Sequence, residues 1–166
     1  MANVLFIIAA QGYQDLEYEE PKKVLEKKGH KVTTASTAMQ ATGSLGGTAT
    51  VDILLPEAKV ENYDAIAFIG GPGSSIYFNN ETAHTLAKTF NEAGKLTCAI
   101  CAGPITLAKA GLLQGKKATC YPGGSQDVIA GGAQYTGSDV EKDGNIITAS
   151  GPPAAKKFGK MIVKNL

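Results

Sequence analysis

Three near-continuous apolar runs constrain this chain more than any other feature: NVLFIIAA at 3–10, YDAIAFIGG at 63–71 and LTCAI at 96–100. Each has the length of a strand without polar–apolar alternation, the pattern of strands buried on both faces. Such strands need helices above and below them, and the intervening sequence supplies candidates. YQDLEYEEPKKVLEKKG, at 13–29, places apolar side chains at Leu16, Val24 and Leu25 and stops at Gly29. Pro21 is expected in or just after an irregular first turn, since an interior proline costs ~3 kcal/mol. NETAHTLAKTFNEAGK, at 80–95, reads as an amphipathic helix capped by Asn80 and ended by Gly94. Further helices are expected over 104–110, 125–132 and 152–166, with strands over 31–36 and 116–121. Hairpins are expected over 42–52 and 140–150, the second turning on Asp143–Gly144. Strands alternating with helices predict an α/β fold, a three-layer α/β/α sandwich around a mostly parallel sheet.

With 166 residues and 43% hydrophobic residues, the chain is expected to form one domain over 1–166, with no repeat or linker dividing it. Its 16 basic residues are all lysine, and the formal net charge is +1. This balance argues against a nucleic-acid partner, and the lack of arginine removes the bidentate clamp used on phosphates. No apolar run approaches the ~20 residues of a membrane span, so no membrane partner is expected. Three cysteines in a chain without a secretory pattern predict free thiols and a cytoplasmic location.

LTCAICAGPITLAKAGLL, at 96–113, places Cys101 where a buried strand hands over to a helix. Such a corner lifts a side chain clear of the sheet, as in nucleophile elbows. The following N–H groups stabilise an anion, which predicts a lowered thiol pKa, and so tight a corner predicts strained φ/ψ at Cys101. In open α/β sheets, sites lie at the carboxyl ends of the strands. There the loops 10–17, 70–75 and 101–104 are expected to converge. Cys98 and Cys120 read as core. The CAIC string is discounted as a redox pair, because residues three apart on a strand face opposite sides. His30 is expected in solvent and His84 on the outer side of its helix, which leaves Asp15, Glu17, Glu19 and Glu20 as acidic partners; spacing does not choose among them. No His, Cys and carboxylate set has metal-ligand spacing.

AICAGP at 99–104, FIGGPG at 68–73, QDLEYEEP at 14–21 and VEKDGNIITASGP at 140–152 resemble the DJ-one/PfpI (ThiJ) superfamily, in the same order along the chain. The resemblance implies a flavodoxin-like sandwich of the glutamine amidotransferase type, usually a homodimer and sometimes a higher oligomer. It implies that Cys101 is the reactive residue and Glu17 its acidic partner. Gly70 and Gly71 with Ala102 would line an oxyanion and substrate site. Ala102 stands where the PfpI-type peptidases carry histidine, and Ser74 and Ser75 stand where those peptidases carry a glutamate. Tyr121, in CYP, follows the peptidase branch, so the sequence is a hybrid. Its implied activity is glyoxalase III- or deglycase-like: a hydrolase or lyase with a nucleophilic cysteine, acting on small reactive 2-oxoaldehydes or their adducts. It would need no metal or organic cofactor and would serve in stress protection. Tyr121 would contact the substrate or form the rim. A redox-sensing chaperone without turnover and a PfpI-type peptidase, the latter drawing on His84 of a neighbouring subunit, are the alternatives. A binding module that keeps the fold without the chemistry is the blandest reading.

Overall fold

A computed structural model describes residues 1–166. The central sheet follows the apolar runs. β1 (Asn3–Ile7) is flanked by β3 (Lys31–Ser36) on one side and β7 (Ala65–Phe68) on the other, with β8 (Leu96–Ile100) next to β7. β6 (Ile53–Leu54) closes one edge; β12 (Ile146–Ala149) and β11 (Val140–Asp143) close the other. All pairings in this seven-stranded sheet are parallel except that of β11 with β12. A small second sheet joins β2 (Gln11–Tyr13) to the hairpin of β4 (Gln40–Gly43) and β5 (Thr48–Thr50). β9 (Lys117–Ala118) and β10 (Gln134–Tyr135) form a two-stranded ribbon.

Alternation within the buried strands sorts their side chains into two cores. Val4, Phe6, Ile8, Cys98 and Ile100 face α1 (Asp15–Lys27) and α5 (Ala155–Asn165). Leu5, Ile7, Ile66, Phe68 and Ala99 face α2 (Glu81–Glu92) and α3 (Gly103–Lys109), with α4 (Ser125–Ala130) on the same side. The chain is thus the three-layer α/β/α sandwich, flavodoxin-like, that the runs predict.

Several local expectations need correction. Pro21 lies well inside α1, buried, not in a first turn. It is accommodated by packing: a Cβ on Gly159 of α5 would sit 2.8 Å from Pro21 Cα. Leu16 is exposed, whereas Glu17, Tyr18, Pro21 and Leu25 form the buried stripe. Helical periodicity assigned this face by hydrophobicity, and a buried carboxylate defeats that rule. The late hairpin turns on Gly144–Asn145, since Asp143 still pairs with Ile146. His30 is half-buried and accepts a hydrogen bond from the Ala2 N–H at 3.0 Å. His84 is also half-buried, and its Nε2 donates to the Phe78 carbonyl at 2.7 Å.

Candidate active site

At the end of β8 the chain reverses through Cys101 at φ 62°, the one non-glycine residue with positive φ. Both main-chain groups of Cys101 are anchored. Its N–H donates to Ala149 O at 2.9 Å, and its carbonyl accepts from Tyr121 N–H at 3.0 Å. These bonds from β12 and from the segment after β9 hold the elbow against a strain of about 1–2 kcal/mol. Gly103 opens α3 so close to β7 that a Cβ there would strike the Phe68 carbonyl. The corner therefore works only with a small residue behind the cysteine.

The turn also overturns the geometric reason for discounting CAIC. Once the backbone leaves the strand at φ 62°, Cys101 packs against the same core as Cys98, not the opposite one. All three cysteines are nevertheless free, with Cys98 and Cys120 fully buried.

Glu17 reaches the same point from the other direction. It is fully buried on the inner face of α1, and its Oε1 accepts from the Gly70 N–H at 3.0 Å. Its Oε2 is buried without a hydrogen bond of standard geometry, and the Cys101 thiol is the polar side chain beside the carboxyl. Gly70 is the spacer between the two: a Cβ there would lie 2.5 Å from Glu17 Oε1 and 2.8 Å from Cys101 Cβ. Gly71, at φ 112°, takes a conformation suited to glycine, and a Cβ would strike the Gln14 amide nitrogen. That amide donates to Gly70 O at 2.9 Å, so the loops after β1 and β7 are locked together.

Burial pushes Glu17 up to about 7, against weak hydrogen bonds from the Cys101 thiol and the Gly70 N–H. Burial, then the Glu17 charge and its hydrogen bond, push the Cys101 thiol up to about 12, although the Ala102 and Gly71 N–H groups pull it down. This corrects the expected low thiol pKa. An ionised acid beside a thiol opposes the thiolate; only a neutral carboxyl favours it. With Glu17 at about 7 and the thiol at about 12, the pair carries one to two protons at neutral pH, and the single proton left above it rests mainly on the sulfur. When that proton rests on Glu17, the sulfur is an anion facing two main-chain donors.

The cavity above this pair has a volume of about 350 Å³. Cys101, Glu17, Gly71, Ala102 and Tyr121 line it as expected, and Gly70 lies just beneath. Sequence reasoning missed Gln14, Phe78 and Pro152, which complete the walls with Pro72 and Ser75. Gln14 has a readable signal in hindsight, since it immediately precedes a helix start that would ordinarily choose Asp15 as cap. Phe78 and Pro152 carried none, because loop side chains are aimed by tertiary contacts. Asp15 instead binds the Leu45 and Gly47 N–H groups at 2.7 and 3.2 Å, fixing the β4–β5 hairpin. Neither histidine lines the cavity. No group of three or more His, Cys, Asp or Glu side chains is placed to hold a metal ion. No helix is long and apolar enough to cross a membrane.

The family model for the DJ-1/PfpI family matches residues 2–165. This chain belongs to the DJ-1/PfpI family. Among curated relatives, a deglycase of Pyrococcus abyssi is 34% identical over 163 residues, covering 98% of this chain and 98% of that one. The crystal structure of a ThiJ/PfpI domain protein from Brachyspira murdochii superposes with a TM-score of 0.96 at 34% identity, covering 98% of this chain and 94% of the other. Drosophila melanogaster DJ-1beta gives a TM-score of 0.92 at 30% identity, covering 99% and 90% of the two chains. The DJ-1/PfpI fold is thus shared over nearly the full length, as the four quoted motifs implied.

Proposed function

We propose that this protein is a cysteine-dependent enzyme acting on small 2-oxoaldehydes or their adducts, of the glyoxalase III or deglycase type. The observation that carries this reading is the single buried Glu17–Cys101 pair under a cavity, with the Gly71 and Ala102 N–H groups near enough to lower the thiol pKa. A relative named deglycase, at 34% identity, supports the same direction.

The chemistry follows from the proton the pair shares. Cys101 Sγ forms a bond to the aldehyde carbon while its proton passes to Glu17 and on to the new alkoxide, giving a hemithioacetal. The N–H groups of Gly71 and Ala102 face the developing oxyanion. Glu17, ionised again, removes the proton from the former aldehyde carbon and returns it to the adjacent carbon through an enediolate, while the hemithioacetal hydroxyl proton passes to the former ketone oxygen. Water then releases the resulting thioester as a hydroxy acid, restoring the thiol. A value of about 7 suits Glu17 to both halves of this transfer.

Two other readings have less support. A tuned redox sensor wants a readily ionised thiol, and burial beside an acid works against that. A peptidase wants an imidazole, and this chain's histidines lie outside the cavity. The family also favours self-association, and exposed Leu16 and Leu45, which flank Asp15, offer an apolar surface for a second copy.

The test is conversion of methylglyoxal to lactate by purified protein, followed by NMR. Glu17→Gln and Cys101→Ser are each expected to lower the rate by about a hundredfold or more. Equal rates in the three proteins would end this reading.

A further inference from the structure

Gln14 occupies a constrained position at the mouth of the cavity. Its main-chain N–H is engaged by Gly70 O at 2.9 Å, and its side-chain Oε1 accepts from the Glu17 N–H at 2.8 Å. A main-chain N–H is always the donor, so the amide orientation is fixed and Nε2 is the free end of the side chain. Gln14 lines the cavity beside Cys101 and Gly71.

The electrostatics of the cavity point the same way. Among its lining residues no side chain is a cation, and Glu17 is the only carboxylate. A carboxylate or phosphate on a ligand would approach that acid without a counter-charge, at a cost of desolvation. Phe78, Pro72 and Pro152 supply apolar lining, and a volume of about 350 Å³ exceeds what a methyl substituent fills.

We propose that Gln14 is a specificity-determining residue whose Nε2 donates to the second oxygen of a neutral vicinal dicarbonyl, while the apolar lining takes an uncharged substituent. The aldehyde carbon of that ligand meets Cys101 Sγ. The inference rests on the proposed chemistry, and it adds a charge rule: aryl and alkyl glyoxals are accepted, and anionic ketoaldehydes such as 4-carboxyphenylglyoxal are rejected.

Steady-state kinetics with phenylglyoxal, methylglyoxal and 4-carboxyphenylglyoxal test the rule in the wild type and two variants. Gln14→Glu keeps an acceptor for the helix cap, and Gln14→Met adds no charge; the lost donor is what they share. Both are expected to lower kcat/KM on the neutral glyoxals by about tenfold, mainly through KM. 4-Carboxyphenylglyoxal should be the poorest substrate of the wild type. A second readout needs no turnover: Cys101 alkylation by iodoacetamide and by iodoacetate, each normalised to glutathione and read by intact mass. Iodoacetamide should be favoured by about tenfold in the wild type, and its rate should stay within about threefold in Gln14→Met, which adds no charge, reporting an intact elbow. Unchanged kcat/KM in either variant would overturn the role of Gln14. Equal normalised alkylation rates would overturn the charge rule. Should the wild type turn over no glyoxal, the proposed function and the Gln14 role fall together, while the alkylation ratio still decides the charge rule.

Discussion

Glu17 is a carboxylate that the fold holds at a thermodynamic disadvantage. Its value rises from 4.5 to about 7 on burial, so across that interval the native state binds more protons than the unfolded chain. Stability therefore declines as pH rises through this window and levels off above it, with a cost on the order of 3 kcal/mol at pH 8. Glu17→Gln removes the charge and is expected to melt at a higher temperature than wild type at pH 8. The gap should close towards pH 4.5. Calorimetry across that range checks the sign, and a variant less stable at pH 8 would contradict it. The same substitution should bring the Cys101 thiol down from about 12, seen as thiolate absorbance, while turnover is lost. Gly71→Ala makes a different point. With φ at 112° and the Gln14 amide in the way of a Cβ, it should cost about 2–4 kcal/mol in chemical denaturation.

Between elements, the position of Glu17 depends on how α1 meets α5. Pro21 removes an N–H that would have bonded the Glu17 carbonyl, and Gly159 lets the two helices approach at that level. A Cβ on Gly159 would lie 2.8 Å from Pro21 Cα and 3.1 Å from Val24 Cβ, atoms that cannot swing aside. Gly159→Ala is expected to destabilise by about 1–3 kcal/mol despite the better helix propensity of alanine. A stabilised Gly159→Ala protein would show that the α1–α5 contact has room to spare. Asp15 at the start of the same helix fixes the β4–β5 hairpin through two N–H groups. Asp15→Ala should free the loop around Leu45, with faster amide exchange at Leu45 and Gly47 and little change in the central sheet.

At the scale of the molecule, the site sits where the sheet's connections diverge. β1 continues to β3 on one side, while β7, β8 and β12 build outwards on the other. The carboxyl ends of β1, β7 and β8 lead towards the first turn of α1 with Glu17 and into the turns at Gly71 and Cys101, so a crevice is left at that point. Self-association belongs to this scale too. Sedimentation at micromolar concentration is expected to give twice the mass of the chain, and Leu45→Lys should shift the balance towards one copy. A single-chain mass in the wild type would remove the apolar surface around Leu16 and Leu45 as an interface.

Much of this architecture was legible in the residues. Near-continuous apolar runs specify strands covered on both faces, and glycine and proline mark where they end, because burial and backbone sterics act locally along the chain. The elbow at Cys101 was legible for the same reason. The burial of Glu17 was legible only through the family resemblance: its helical stripe looks polar, and the approach of Gly70 and the Cys101 elbow encloses it. The reversed thiol pKa, the locked amide of Gln14 and the walls from Phe78 and Pro152 likewise belong to the tertiary structure. Electrostatic shifts and cavity shape depend on which distant groups come within a few ångströms, and that is decided only when the layers close.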